Sequence, residues 1–469
     1  MDVSNHCKTS IFALANQRFF MKIIIAGASD AGLHLAKLLS FESQDITLID
    51  SVKEQLTYAE THLDIRTIHG DPSALAVLKK ADAGDSDMMI AVSPIETTNL
   101  MCCLLSKQLG CKRTIARVTN IEFDKYKEDV DFHSLGIDEL ISPEELAVKE
   151  IQLLIDESAF NNSYEFEHGA LTMMGTTLEE SAPFVGKSVK EAAAVYSEVH
   201  FMPIAIKRAG TQTTLIPRGD TLFEAGDQVY FTSSKSGMDA LNELIGYTKQ
   251  EVENVMILGG GRIGKKTAED LCQRGMRVKL VESNKEKAIK LSGDLPNTLV
   301  IHGDGRNAEL LLEENIGGMD VFLAVTDDSE TNIMSCLMAK SNKVSKIIAL
   351  VENVDYFELT KSIGVDTLIN KKLLTANSIF RYVRKGKVVD LAKLNNMDAE
   401  LLEFVVSEDS RVLGKKIKDL EISRTATIGG VIRAGQGIIA LGDFEIMPGD
   451  RVLVCCLPKS ISRIERLFR

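Results

Sequence analysis

The chain repeats itself once over more than half its length, and this repeat constrains the fold more than any other feature. The run Lys22-Ile-Ile-Ile-Ala-Gly27 returns as Asn254-Val-Met-Ile-Leu-Gly259, an offset of 232 residues (259 − 27). Further matched runs follow in the same order: Ile46–Asp50 with Val278–Glu282, His69–Asp71 with His302–Asp304, Ala91–Ser93 with Ala324–Thr326, Thr98–Asn99 with Thr331–Asn332, and Leu135–Asp138 with Ile363–Asp366. So many matches in one order indicate that a complete structural unit is duplicated.

A shorter repeat follows each copy of the longer one. The matched runs are Phe184–Lys187 with Val412–Lys415, and Glu224–Val229 with Ile446–Val452. The order along the chain is therefore large domain, small lobe, large domain, small lobe. We divide the sequence into an N-terminal extension at 1–20, large domains at 21–143 and 252–370, and small lobes at 163–247 and 388–469.

Each large domain alternates short apolar runs with segments of helical character, which is typical of a parallel sheet with helices on both faces. In the second copy the runs fall near 254–259, 277–282, 298–302, 319–325, 346–351 and 366–369. Right-handed crossovers then give a doubly wound sheet with its ligand crevice at the carboxyl ends of the strands. The small lobes combine alternating segments with one short helix, which Ser188 is placed to cap. The predicted fold class is α/β: two tandem Rossmann-like doubly wound parallel sheets, each followed by a small α+β lobe.

A glycine-rich loop joins the first strand of the second copy to a predicted helix. The loop reads Gly259-Gly260-Gly261-Arg262-Ile263-Gly264. Its spaced glycines allow a tight turn, close approach of the backbone to a pyrophosphate, and packing of the helix on the sheet. The helix N-terminus offers free N–H groups to phosphate, and Arg262 can add a charge-assisted contact. Glu282 ends the second strand, where a carboxylate accepts hydrogen bonds from ribose hydroxyls and repels a 2′-phosphate. The sequence therefore favours NAD, ATP or ADP over NADP.

The first copy departs from this pattern. Its loop reads Gly27-Ala28-Ser29-Asp30-Ala31-Gly32. Ser29 replaces the glycine that permits close approach, and Asp30 stands where the second copy has an arginine and would repel phosphate. Asp50 keeps the ribose-binding acid. Arg117 ends the fifth strand, where the second copy has Leu350, so Arg117 can compensate and the first site remains a candidate.

Two further repeat-matched pairs end strands near the expected crevice. Ser93 and Thr326 end the fourth strand of their copies, where they can contact a ribose or base, or else cap the helix that follows. Asp71 and Asp304 follow the third strand, where they can line the crevice or form a turn. The sequence leaves these alternatives open.

The composition narrows the class of function. The 469 residues carry a formal net charge of -13, which argues against a non-specific nucleic-acid binder. No apolar run reaches the roughly 18 residues that span a bilayer, so no direct membrane insertion is expected. The eight cysteines contain no C-x-x-C pair, which predicts neither a metal site nor a disulfide framework. No H-E-x-x-H, G-x-S-x-G or Walker A motif occurs either, so two binding units without recognisable chemistry indicate a sensor and not an enzyme.

These residues together resemble the Trk-type potassium-uptake regulatory subunits, a family with two tandem RCK units (regulators of potassium conductance). The resemblance covers nearly all of 21–469. It rests on the paired loops with Asp50 and Glu282, the His-Gly-Asp turns, Ser-Glu-Thr-Asn at 329–332, Ile115-Ala-Arg-Val118, and the Gly-Asp pair before the last strand of each small lobe.

The resemblance implies a cytoplasmic ring of RCK units, peripheral on the inner face of the cell membrane. The implied partner is a membrane-embedded potassium-translocating subunit of the Trk or Ktr type, and the implied ligands are NAD(H) and adenine nucleotides such as ATP and ADP. A homo-oligomer of four chains, or a dimer of dimers, fits it. The cofactor-binding positions carried over are Gly27, Ala28, Ser29, Asp30, Ala31, Asp50, Ser93, Pro94 and Arg117 in the first copy, and Gly259, Gly260, Gly261, Arg262, Ile263, Glu282, Thr326 and Asp327 in the second.

The leading hypothesis is a non-catalytic regulator of potassium uptake that responds to nucleotides. The rival hypothesis is an NAD-dependent oxidoreductase, which needs an acid, a base or a nucleophile beside the cofactor. Oxidation or reduction of a small substrate by the pure protein would favour the rival.

Overall fold

The computed structural model describes residues 21–40, 44–120, 123, 129–156, 162–167, 169–194, 201–211, 213–246, 252–353, 356, 359–360, 363–365, 367–384, 388–394, 397–422 and 424–468. The described residues form two compact units, divided between Pro143 and Glu144. The predicted N-terminal extension at 1–20 lies outside the described residues. No helix in the described ranges combines the length and apolar character needed to cross a membrane.

The first unit contains one six-stranded parallel sheet. Its strands are β1 (Lys22–Ala26), β2 (Asp45–Asp50), β3 (Arg66–His69), β4 (Met88–Ala91), β5 (Arg113–Arg117) and β6 (Glu139–Ile141). Between them lie the helices α1 (Asp30–Ser40), α2 (Lys53–His62), α3 (Leu75–Lys80) and α4 (Glu96–Leu109). The strands are ordered β3-β2-β1-β4-β5-β6, so the direction of winding reverses between β1 and β4. A crevice for ligands is expected at that point, at the carboxyl ends of the strands.

Helix α5 (Pro143–Asp156) starts at the boundary between the units, and the first small lobe follows it in the second unit. The lobe contains strands β7 (Asn162–Phe166), β8 (Leu171–Thr177), β9 (Phe201–Lys207), β10 (Thr214–Leu215) and β11 (Gln228–Ser234), with helices α6 (Val189–Ala193) and α7 (Met238–Leu244). Its antiparallel sheet has the order β10-β9-β11-β8-β7. Ser188 caps α6 as predicted, because its hydroxyl accepts from Glu191 N while the Glu191 carboxylate accepts from Ser188 N.

A second parallel sheet follows, with the strand order of the first. Its strands are β12 (Asn254–Leu258), β13 (Arg277–Glu282), β14 (Thr298–His302), β15 (Val321–Ala324), β16 (Lys346–Leu350) and β17 (Leu368–Ile369). Its helices are α8 (Arg262–Gln273), α9 (Lys285–Asp294), α10 (Ala308–Glu313) and α11 (Ser329–Ser341). The order is β14-β13-β12-β15-β16-β17. All six strands predicted for this copy are present, and the doubly wound α/β fold class is confirmed.

The chain ends with helix α12 (Lys371–Arg384) and the second small lobe. The lobe contains β18 (Val388–Lys393), β19 (Glu400–Val405), β20 (Ala426–Arg433), β21 (Gln436–Ile438), β22 (Arg451–Cys456) and α13 (Ile461–Leu467). Its strand order, β18-β19-β22-β20-β21, repeats that of the first small lobe. The apolar run Val452–Cys456 is fully buried because β22 lies in the middle of the sheet.

The two small lobes pack on one another and share one hydrophobic core. Phe166, Leu171 and Tyr230 of the first lobe are buried together with Leu401 and Leu453 of the second. Hydrogen bonds also cross between the lobes. The Thr232 hydroxyl donates to the carbonyl of Gly429, and Asp398 N donates to the Thr214 hydroxyl at 2.9 Å. The lobes therefore form a single layered body within the second unit.

Helix α5 packs on the second parallel sheet, although it directly follows the first copy in the sequence. Its buried residues are spaced as the stripe of an amphipathic helix and comprise Ala147, Val148, Ile151, Leu154 and Ile155. They belong to the same core cluster as residues of β12, β13 and α8. This packing fixes the beginning of α5 against the second copy.

Polar contacts also join α5 to α8. Gln152 Nε2 donates to a carboxylate oxygen of Asp270 at 2.7 Å, and Asp156 forms an ion pair with Arg274. Both partners lie in or directly after α8, the helix that follows the glycine-rich loop. Helix α5 is therefore in direct contact with the helix that follows the glycine-rich loop, so a shift of that helix also moves α5.

Replacing Ile151 with alanine is expected to destabilise the second parallel domain by about 2–5 kcal/mol, since it leaves a cavity in that core. Ile151 is fully buried there. Chemical denaturation, with hydrogen exchange in β12 and β13 as the local probe, measures the effect. The exposed Lys149→Ala on the same helix is the control, with an expected change within about 0.5 kcal/mol. Protection of β12 equal to the wild type would contradict the packing.

Candidate nucleotide-binding site

The glycine-rich loop of the second copy has the geometry that its sequence predicts. Gly259 has a φ of 105°, in a region that favours glycine, and an added Cβ would lie 2.9 Å from Thr326 N. A Cβ at Gly264 would lie 1.9 Å from the carbonyl oxygen of Gly259. A Cβ at Gly261, in contrast, would meet no atom within 4 Å. Gly259 and Gly264 are therefore required by the fold, while Gly261 leaves open space for a ligand.

The N-terminus of α8 has features that favour an anion. Gly261 is its N-cap and supplies no side-chain hydrogen bond, and the first turn contains no acidic residue. The first N–H groups of a helix lack partners within the helix, and the helix dipole adds positive potential there. The loop and α8 thus form a cradle suited to phosphate oxygens.

Glu282 lies at the end of β13, and its carboxylate is hydrogen-bonded to the glycine-rich loop. Its Oε2 accepts a hydrogen bond from Gly260 N at 3.1 Å, and its Oε1 accepts one from Asn284 N at 2.9 Å. Lys287 Nζ lies 2.8 Å from Oε2. Burial raises the pKa of this carboxyl group, but the lysine and the two backbone N–H groups outweigh burial, so the pKa is lowered overall. Glu282 is therefore an anion at neutral pH.

A buried asparagine holds the ends of β15 and β16 in the same crevice. Asn332 is fully buried, donates to the carbonyls of Thr326 and Leu350, and accepts from Thr326 N at 3.0 Å. The Thr326 hydroxyl also donates to this side chain at 2.7 Å. The predicted site residue Thr326 is thus oriented by Asn332. The matched Asn99 makes the corresponding backbone contacts in the first copy.

A cavity of about 480 Å³ opens at the loop of the second copy. Five predicted positions line it: Gly260, Gly261, Arg262, Ile263 and Asp327. The other lining residues are Glu144, Lys265, Lys287, Lys290, Leu291, Asp294, Val325, Leu350 and Lys371. Gly259, Glu282 and Thr326 do not line the cavity, and instead hold the backbone around it. The volume lies within the range of pockets that take small molecules and cofactors.

The charge of the cavity favours an anion. Five basic side chains and three acidic ones line it, although the chain as a whole is acidic. Lys265 is paired with Asp294 at 2.6 Å, and Lys371 with Glu352 at 2.9 Å. Within the described part of the chain no group of three or more histidine, cysteine or acidic side chains is arranged to hold a metal ion. The arrangement combines basic groups suited to phosphate with apolar side chains suited to a ring.

The first copy has the same backbone plan with different chemistry. Gly27 has a φ of 111°, and a Cβ at Gly32 would lie 1.8 Å from the Gly27 carbonyl oxygen. Asp50 accepts hydrogen bonds from Ala28 N at 2.6 Å and from Val52 N at 2.7 Å, so it supports the loop as Glu282 does.

The remaining first-copy candidates occupy both sides of this loop. Ser29 Oγ lies 3.4 Å from the Val92 carbonyl, and Asp30 is exposed in the first turn of α1 next to Ala31. Pro94 is exposed beside the buried Ser93, whose N–H is held by Asn99. Arg117 Nε is buried and has no hydrogen-bond partner among the described residues.

Asp71 and Asp304 form turns. Asp71 accepts from Ser73 N at 2.8 Å, and Asp304 accepts from Arg306 N at 2.9 Å. The lysines of the cavity and Glu144 were not among the residues predicted from the sequence. The signal for Lys287 was available, because it lies in the first turn of α9, five residues after Glu282. No local signal identifies Glu144, since it lies outside the second copy in the sequence.

The fold and the cavity define a protein with two tandem Rossmann-type domains, each followed by a small α+β lobe, and with a nucleotide-type cradle. The TrkA-N domain model matches residues 23–143 and 255–371, and the TrkA-C domain model matches 173–246 and 401–469. The chain therefore belongs to the TrkA family of Trk-system potassium uptake proteins.

Relatives of known name support this assignment along the whole chain. The Trk system potassium uptake protein TrkA of Halomonas elongata is 34% identical over 454 residues, covering 96% of this chain and 99% of the relative. The TrkA protein of Vibrio alginolyticus is 32% identical over 456 residues, with coverage of 96% and 99%. The TrkA homolog of Archaeoglobus fulgidus is 32% identical over 449 residues, with coverage of 96% and 100%.

Solved structures share the fold at low sequence identity. The GsuK RCK domain has a TM-score of 0.59 and 16% identity, with coverage of 96% of both chains. The GsuK channel bound to NAD has a TM-score of 0.59 and 16% identity, covering 96% of this chain and 79% of that one. The predicted fold, two tandem Rossmann-like domains each followed by a small α+β lobe, is thereby confirmed.

Proposed function

We propose that this chain is the nucleotide-sensing regulatory subunit of a potassium uptake transporter. It binds NAD(H), and also ATP or ADP, and gates a membrane-embedded potassium-translocating subunit. The observation that carries the proposal is the cationic cavity at the second glycine-rich loop. Family membership supports the link to potassium uptake, and the likeness to a channel bound to NAD supports the choice of ligand.

The residues of the second copy fit such a ligand. The space beside Gly261 admits the close approach of a pyrophosphate to the backbone, and the N-terminus of α8 with Arg262 provides donors. Glu282 ends β13 where it can accept from a ribose hydroxyl. Apolar side chains of Leu291, Val325 and Leu350 line the same cavity and suit an aromatic ring. In the first copy we propose the weaker site, with Arg117 as its cation.

The cavity contacts the beginnings of two helices that lead to the small lobes. Glu144 lies in the first turn of α5, which leads to the first lobe, and Lys371 begins α12, which leads to the second. A ligand that favours one arrangement of these helix ends shifts the equilibrium between two shapes of the protein. The size of this shift is set by the ratio of the ligand's affinities for the two shapes, which is typically about 5–150.

Potassium flux tests the proposal. The membrane subunit and this chain are reconstituted in liposomes, and rubidium uptake is measured with and without NADH, NAD, ATP and ADP. At least one nucleotide is expected to change the flux by about fivefold or more. Glu282→Ala is expected to remove that response, while the neighbouring Glu286→Ala, an exposed carboxylate outside the cavity, is expected to keep it.

The rival class of function gives a different result in the same samples. An NAD-dependent oxidoreductase would oxidise NADH in the presence of a small substrate and would leave the flux unchanged by Glu282→Ala. A flux that no nucleotide alters would contradict the regulatory role. We propose further that the chain works as a tetramer or dimer of dimers on the cytoplasmic face of the membrane, without inserting into it.

A further inference from the structure

The ribose edge of the second site is more basic than its sequence motif indicates. Glu282 ends β13 at the position of the ribose-binding acid, and its side chain is only 7% exposed. Lys287 Nζ lies 2.8 Å from the same Oε2 that accepts from Gly260 N. The negative charge that would repel a phosphate on the ribose is therefore already balanced by a cation.

A second lysine lies one turn further along the same helix. Lys287 and Lys290 are three residues apart on α9, so they share a face of the helix, and both line the cavity. Lys290 makes no ion pair with any residue that the structure describes. Lys290 also interacts electrostatically with Asp294, which is paired with Lys265. Three lysines thus stand against two carboxylates, Glu282 and Asp294, at this edge of the cavity.

The first copy lacks this pair of lysines. At the offset of 232 that aligns Asp50 with Glu282, the positions of Lys287 and Lys290 are occupied by Gln55 and Tyr58. Asp50 accepts hydrogen bonds from Ala28 N and Val52 N. It forms no ion pair with any residue that the structure describes. In the first copy the charge of the acid therefore remains unbalanced.

Charge at this position decides between two classes of dinucleotide. A lone carboxylate accepts from the ribose 2′-hydroxyl and repels a 2′-phosphate, whereas a basic side chain nearby accommodates the phosphate. We propose that the second copy binds adenine dinucleotides that carry a 2′-phosphate, with Lys287 and Lys290 as the phosphate contacts, and that the first copy excludes them. This inference rests on the proposed nucleotide-sensing function and names a further ligand class for the same site.

Calorimetric titration of the full chain with NADH and NADPH tests the inference. NADPH is expected to bind within about tenfold of NADH or more tightly. Lys287→Gln and Lys290→Gln are each expected to weaken NADPH binding by about tenfold or more, because each removes a charge-assisted contact to the 2′-phosphate. NADH is expected to change by less than about threefold. The control is Lys285→Gln, an exposed lysine of the same helix that does not line the cavity.

Two further arms locate the phosphate and the copy. Adenosine 2′,5′-bisphosphate is expected to bind more tightly than the 3′,5′-isomer, since the 2′-hydroxyl is the one that faces the acid. Gly261→Val fills the space for the pyrophosphate in the second copy. It is expected to abolish NADPH binding by the whole chain, because the first copy excludes the 2′-phosphate.

The outcomes separate this inference from the proposed function. NADH binding with NADPH more than about 100-fold weaker, or an affinity ratio that neither lysine variant alters, would overturn the inference alone. Failure of both dinucleotides to bind would overturn the proposed function and this inference with it.

Discussion

Replacing Gly264 with valine is expected to unfold the second Rossmann-type domain. Its Cβ would lie 1.9 Å from the carbonyl oxygen of Gly259, so α8 cannot keep its place against β12. The neighbouring atom is backbone and cannot rotate away. We expect a loss of more than about 4 kcal/mol in the free energy of unfolding, at the upper end for single substitutions. Chemical denaturation followed by circular dichroism, with hydrogen exchange in β12 and β13, measures it.

Gly293 provides the matched control for this substitution. It lies in α9 of the same domain, and an added Cβ there meets no atom within 4 Å. Gly293→Ala is expected to leave the domain folded and to stabilise it by about 0.5–1 kcal/mol, because alanine has less conformational freedom to lose. An unfolding midpoint for Gly264→Val equal to that of the wild type would mean that the loop geometry is wrong.

Replacing Gly261 with valine is expected to leave the fold intact and to abolish nucleotide binding in the second copy. The backbone there is extended, with a φ of −64° and a ψ of −173°, which any residue adopts, and no atom lies within 4 Å of an added Cβ. The added methyl groups would instead occupy the path of the pyrophosphate. We expect affinity to fall by at least about 100-fold, or about 2.7 kcal/mol.

The first copy suggests a graded control for that experiment. Ser29 stands at the position of Gly261, so Gly261→Ser introduces a side chain that the other repeat already carries. It is expected to keep the free energy of unfolding within about 1 kcal/mol of the wild type and to weaken binding less than valine does. Normal affinity in Gly261→Val would show that the ligand does not approach this stretch of backbone.

The parallel sheets and the glycine-rich loops could be predicted because local chemistry determines them. The apolar runs of β12 and β15 match strands buried on both faces, and Gly259 and Gly264 each answer a specific steric demand. The repeat made these predictions stronger, since the same pattern occurs twice. The place of Glu282 at the end of β13 was likewise predictable, because it ends the apolar run of that strand.

The surroundings of the site depend on packing between segments that are distant in the sequence. The apolar stripe of α5 predicts that Ile151 is buried, but no local signal says which sheet covers it, because both copies offer similar faces. Glu144 reaches the cavity only through that packing. Lys287 was predictable as a residue near the acid, but its 2.8 Å contact with Glu282 follows from the orientation of α9 on the sheet.

Calorimetric titration with NADH, NAD, ATP and ADP shows whether the working nucleotide site lies in the second copy. The titrations are made on the wild type, on Glu282→Ala and on Asp50→Ala, with unfolding midpoints measured in parallel. We expect binding to vanish in Glu282→Ala and to survive in Asp50→Ala, since only the second loop combines an open Gly261 with a cationic cavity. Binding that is lost only in Asp50→Ala would place the working site in the first copy. No binding of any nucleotide by the folded wild type would contradict a nucleotide-sensing role.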